Sequence, residues 1–216
     1  MKKLLILLGI VLLLFGCVKI TVEQKVNKDG TSTQSMTMDY AQLAQMGAAY
    51  GSSSSSSMGC DSDSGKSYKA QGWTCEQLNS TAIKLSGKPG DPEDYKFNTT
   101  SDFLGATYAF EMPLDLDDLG DTSAYGAQTA EGIAQLKAYG VEMWYVIEMP
   151  APVTSAEGAV KIEGNKATFD MLDLMANGKT SVKVEAKETN LLIIGVVALV
   201  VLVVLAFVAM KVMKKK

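Results

Sequence analysis

The 216-residue chain predicts an α+β fold, with an antiparallel sheet of about six strands, two or three short helices and a C-terminal transmembrane helix. Three observations carry this reading. Apolar and polar residues alternate with a period of two in several short segments, the pattern of half-buried strands. Turn signatures separate those segments, at Asn27-Lys-Asp-Gly30 and again at Glu163-Gly-Asn-Lys166. Finally, Leu191–Met210 is an apolar run with no charge.

Taken in order, the chain opens with a segment that predicts export. Lys2 and Lys3 precede the apolar run Leu4–Phe15, which is interrupted only by Gly9. That run is too short to span a bilayer core of about 20 apolar residues, and it has the make-up of a secretory signal over residues 1–16. Leu14-Phe-Gly-Cys17 has the form of a lipobox, so Cys17 is expected to be lipid-modified and to become the first mature residue. An ordinary signal cut nearby, or an uncleaved anchor, is the alternative.

Residues 17–189 then form the expected extracytoplasmic domain. Val18, Ile20 and Val22 alternate with Lys19, Thr21 and Glu23, and Thr31–Met38 alternates again, which predicts a hairpin over 18–40. Asp39 is placed to cap a short helix over Tyr40–Tyr50. A serine-rich loop spans 51–59, where nothing can be buried. Cys75–Leu85 is expected as a second helix. Tyr95–Phe103 and Ala106–Met112 read as strands, and Thr129–Tyr139 reads as a helix stopped by Gly140. Val141–Met149 alternates as a strand and ends at Pro150, since proline cannot donate to a ladder. A hairpin over 159–172 and a last strand over Thr180–Ala186 complete the domain.

The uncharged stretch at 190–210 equals about 30 Å of helix, the thickness of a hydrocarbon core. The basic tail at 211–216 carries Lys211, Lys214, Lys215 and Lys216. It predicts a cytoplasmic C-terminus, with the bulk of the chain outside the cell membrane. Both tethers are short, so the first and last strands are expected to end on one membrane-facing side.

Charge and residue types narrow the function. The outer domain holds 14 lysines against all 24 acidic residues of the chain, a net charge of −10. Such a surface opposes nucleic acid, which needs basic groups to replace counterions. Every basic residue is Lys; the chain has neither Arg nor His. Bidentate Arg clamps, His bases and His metal ligands are therefore excluded. No catalytic residue, metal or cofactor is expected. Asp61-x-Asp63-x-Gly65 lacks the further ligands of a calcium loop, and Asp115, Asp117, Asp118 and Asp121 read as a solvated acidic turn. The 12 methionines are dispersed, as suits an adaptable core or a lipid-receptive pocket. Trp73 and Trp144 are expected to pack rather than bind.

Cys60 and Cys75 are the other two cysteines, and export permits them to form a disulfide. Free thiols or a redox pair are the alternatives, although the spacing is not Cys-x-x-Cys.

Several of these stretches resemble LppM-type membrane lipoproteins: Cys17-Val-Lys-Ile-Thr-Val with Asp29-Gly-Thr31, Met149-Pro-Ala-Pro-Val, and Gly164-Asn-Lys-Ala-Thr-Phe169. The resemblance covers roughly the first 25 mature residues and residues 149–210; Phe169 stands where the family has tryptophan. It implies an extracytoplasmic α+β domain of a family often discussed as lipid-binding but without a settled activity, and carries over no functional residue. The functional expectation is a non-enzymatic domain that binds a membrane lipid or another envelope component. The alternative is a scaffold subunit contacting a membrane protein partner.

Overall fold

The structure, a computed structural model, describes residues 18–41, 59–89, 93–114 and 130–213. The signal at 1–16, Cys17, most of the helix expected at 40–50, all but Gly59 of the serine-rich loop, and the acidic turn at 115–121 lie outside the described residues. Where strands were expected, the alternation is expressed. β1 (Lys19–Val26) and β2 (Ser32–Asp39) form the first hairpin, paired from Lys19 with Asp39 to Val26 with Ser32. Its turn is closed by Asp29, whose Oδ1 accepts from the Thr31 amide and hydroxyl.

The fold is nevertheless not the expected simple antiparallel sheet of about six strands. It has two sheets. The larger has seven strands in the order β3 (Thr74–Asn79), β4 (Ala82–Pro89), β2, β1, β7 (Glu142–Glu148), β10 (Lys166–Asp170), β9 (Lys161–Glu163). The smaller has four, in the order β5 (Lys96–Asp102), β6 (Gly105–Pro113), β11 (Ser181–Thr189), β8 (Val153–Glu157). The large sheet is mixed, because β1 runs parallel to β7, with Val22 beside Tyr145. A parallel pair needs a long crossover, and here the described chain between them supplies β2–β6 and two helices. Periodicity identifies strands but not which distant strand each one pairs with.

The segment expected as a helix over Cys75–Leu85 is the β3–β4 hairpin. Asn79 decides this locally: its Oδ1 accepts from the amide of Thr81 at 2.8 Å and from its hydroxyl at 3.0 Å, folding an Asx turn between the strands. A helix forms earlier instead, α1 (Asp63–Ala70). Ser62 caps it by accepting the Gly65 amide at 3.1 Å. α2 (Ala130–Ala138) falls where a helix was expected, and α3 (Met171–Ala176) is capped by Asp170.

The C-terminal segment is a helix, α4 (Leu191–Met213). The expectation of a spanning helix is corrected: among the described residues, no helix is long and apolar enough to cross a membrane.

The two sheets share one core. Val26, Tyr145, Ile147 and Phe169 from the large sheet pack with Tyr108, Phe110, Val182 and Val184 from the small one. A second cluster, with Ile83, Leu85, Tyr40 and Cys60 buried and Met36, Met38, Tyr68 and Trp73 against them, lies where α1 meets β3. The Cys60–Cys75 disulfide closes this corner, with Cα atoms 5.6 Å apart.

The ends of β1 and β11 do not share one side. Lys28, just past β1, meets Glu188 at 2.6 Å, and the Lys187 amide donates to Pro152, a few residues beyond the strand beside β1. The last strand therefore ends near the tip of the first hairpin. Lys19 is at the other end of β1, roughly 25 Å away along the strand. The expectation that both ends point one way is corrected, because the return of β11 is fixed by pairing with β6, not by β1.

Candidate functional site: the open face of the large sheet

The register of the large sheet sorts its residues into two faces. Val22, Gln24, Tyr145, Ile147, Ala167 and Phe169 point into the core. Thr21, Glu23, Lys25, Trp144, Val146, Glu148, Lys166 and Thr168 point the other way. The described residues leave this second face partly exposed. Around Trp144 the face holds a shallow groove of about 400 Å³, lined by Lys19, Thr21, Trp144, Val146, Val160, Lys161 and Thr168. A second depression of about 330 Å³ shares Val146 and continues toward Lys25, Glu148 and Lys166.

Each part of the groove has a local cause. Trp144 lies between Thr21 of β1 and Asp170 of β10, and its indole N–H donates to Glu142 at 3.0 Å. That bond fixes the ring while leaving its apolar body on the surface. Val160 is brought in by its amide, which donates to the Thr168 carbonyl. The lysines at the rim are in exposed ion pairs, Lys19 with Glu142 at 3.5 Å and Lys161 with Glu163 at 2.8 Å. Exposed pairs of this kind are worth about 0–1 kcal/mol, so either lysine can turn to an anion at little cost. Further along, burial would raise the Glu148 carboxyl. Lys166 at 3.2 Å and Lys25 at 3.3 Å outweigh it and hold that group below the usual glutamate range. The groove thus offers an aromatic and aliphatic floor with mobile cations at its edge.

Behind this face is a buried polar node. Tyr145 donates its hydroxyl to Gln24 Oε1, and Gln24 Nε2 donates to Ser32 Oγ at 3.0 Å. Burial, aided by the charge of Asp94, raises the Tyr145 phenol far above its ordinary value. Such a group stays neutral, so the node is a structural link rather than a base.

Of the residues singled out in the sequence, Cys60 and Cys75 are joined, and Cys17 lies outside the described residues. Asp61 and Asp63 stand at the start of α1, where they face Lys69 and Lys66 at 3.7 and 3.5 Å. Trp73 packs against the second core as expected, whereas Trp144 stands on the open face. The groove residues Lys19, Thr21, Val146, Lys161 and Thr168 were not singled out. The available signal was the alternation of β7: if Tyr145 and Ile147 point inward, Trp144 and Val146 cannot.

No family model matches the chain, and no curated protein matches its sequence. Among solved structures it is similar to the folded domain of LppM from Mycobacterium tuberculosis, determined by NMR. The identity is 9% and the TM-score 0.36, over 80% of this chain and 91% of that one. This likeness reaches an LppM-like fold at most.

Proposed function

We propose that this chain is a non-enzymatic, exported domain that works at a membrane surface. It takes a lipid or another amphiphilic envelope component in the groove around Trp144. The observation that supports this is the open face of the large sheet, with its half-buried indole, two valines and flanking lysines. An apolar floor suits a hydrocarbon chain or a sugar face, and Lys19 and Lys161 suit an anionic headgroup. The Cys60–Cys75 disulfide supports an oxidising compartment. Cys17 is the residue proposed to carry the anchoring lipid. The absence of His and Arg favours binding over acid–base chemistry.

Organic extraction of the purified full chain, followed by mass spectrometry, tests the reading. A stoichiometric amphiphile is expected from the wild type and about one-tenth as much from Trp144→Ala, because losing a buried aromatic contact costs on the order of 1.4 kcal/mol or more. Equal recovery from both proteins, or none from either, sinks the groove as the site. Crosslinking in intact cells that captures one stoichiometric protein partner on the same face would point to a scaffold subunit instead.

A further inference from the structure

We infer that the β5–β6 hairpin tip, Phe103-Leu104, together with the root of α4 forms an apolar end that inserts into the interface of a lipid bilayer. The inference rests on the membrane-surface reading above but concerns a different part of the molecule. Phe103 and Leu104 are 68% and 49% exposed, and Leu191 is 77% exposed. Two adjacent large apolar residues at an exposed turn contribute nothing to the core that would retain them there.

The tip is built so that it can leave water cheaply. Three of its backbone polar groups find partners within the protein. Asp102 Oδ1 accepts from the Leu104 amide at 2.8 Å and from the Gly105 amide at 2.9 Å. The Leu104 carbonyl accepts from the Asn190 amide at 2.7 Å. Pairing these groups lowers the penalty of entering an apolar medium, while the apolar side chains gain from doing so. A Cβ at position 105 would collide with the Glu188 carbonyl, so the tip is locked against the end of β11.

The same bond decides what the tip faces. Asn190 also caps α4, its Oδ1 accepting from the Ile193 amide at 3.3 Å, so the tip and the helix root form one unit. The helix that leaves this unit exposes Val196, Val197 and Leu199–Leu205. Exposed apolar side chains thus stand both at the hairpin tip and along the helix, which fits a lipid phase better than a small protein pocket. The lysine beside the tip, Lys28, is already paired with Glu188 at 2.6 Å. Insertion is therefore hydrophobic and should not depend on anionic lipid.

The test uses the full chain in phosphatidylcholine vesicles, with Phe103→Trp and Leu104→Trp made separately. Flotation first shows whether the chain is bound to vesicles at all. A chain that stays in the aqueous fraction overturns both this inference and the membrane-surface reading. For floating protein, the fluorescence of the added tryptophan is obtained by difference from wild type. Emission shifted to shorter wavelength, quenched by bromine atoms on the acyl chains and shielded from aqueous iodide, is expected at both positions. Emission as in water, quenched by iodide and not by bromolipid, overturns the inference and leaves the groove reading intact. Replacing the zwitterionic lipid by an anionic one, or adding salt, is expected to leave the depth unchanged.

Discussion

At the scale of single residues, the most consequential contact is the one behind the open face. Gln24 is fully buried, and it is held by Tyr145 on one side and Ser32 on the other. Tyr145→Phe removes the donor and leaves the Gln24 carbonyl oxygen buried without it, at a cost of about 1–3 kcal/mol. The expected outcome is a lower urea midpoint with an unchanged slope. A midpoint that does not move would show the node to be idle. The same phenol sets an alkaline limit. Its folded pKa is raised above the unfolded value of 10.0, so the stability tied to the neutral form is complete below pH 10 and falls as pH rises beyond it. Tyr145→Phe should flatten the loss of stability above pH 10. The sequence showed Tyr145 as inward-facing in an alternating strand. It could not show Gln24 as its partner, 121 residues away.

At the scale of elements, the corner made by α1, β3 and β4 depends on a crosslink. The second core has four buried residues, one of them Cys60 itself. Joining cysteines 15 residues apart stabilises by roughly 3 kcal/mol in the chain-entropy model. The double variant Cys60→Ser, Cys75→Ser should therefore lose amide-exchange protection in α1 and β3 well before the β5–β6–β11 ladder. Uniform loss across both sheets would refute an independent corner. This corner is also where the sequence misled. Thr74–Asn79 has no strong alternation, and the residues that make it a strand are the Asx turn at Asn79 and the partner β4. By contrast, β1, β2, β7 and β11 were legible, since each carries a period of two that a half-buried strand satisfies.

At the scale of the whole molecule, the two sheets are joined through their ends as well as their core. Glu188 of the small sheet accepts from Lys28 beside the large one at 2.6 Å and from Tyr108 at 2.9 Å. Lys28 and then Tyr108 hold its carboxyl below the ordinary 4.5. A depressed acid contributes stability above the unfolded pKa, and that contribution is lost as pH falls through the folded one. Stability should thus drop on going below about pH 4.5, and Glu188→Gln should lessen the drop; an unchanged acid limb in that variant would count against the link. The ends also matter for orientation. Lys19, two residues after Cys17, lies at one end of β1, and the Phe103 tip lies beside the other. A lipid on Cys17 and an inserted tip would hold β1 along the bilayer rather than upright on it, roughly 25 Å of strand between two contacts.

The candidate site was only half legible. The sequence placed Trp144 opposite Tyr145 and Ile147 on β7, which suffices to put it on the other face. It gave no sign that Thr21, Val160 and Thr168 surround it, because these come from strands that meet β7 only through the parallel β1 pairing and the β9–β10 hairpin. What the sequence determined by itself was local: strand periods, turn chemistry, the absence of Arg and His, the excess of acidic residues and the apolar C-terminal segment. What only the tertiary structure decided was non-local: the division into two sheets, the parallel pairing of β1 with β7, the face that the described residues leave partly exposed, and the separation of Lys19 from the end of β11. The physical reason is that a side-chain period is fixed by the geometry of one strand. Strand pairing and the burial of a face depend on contacts between residues far apart in the chain, which no local pattern records.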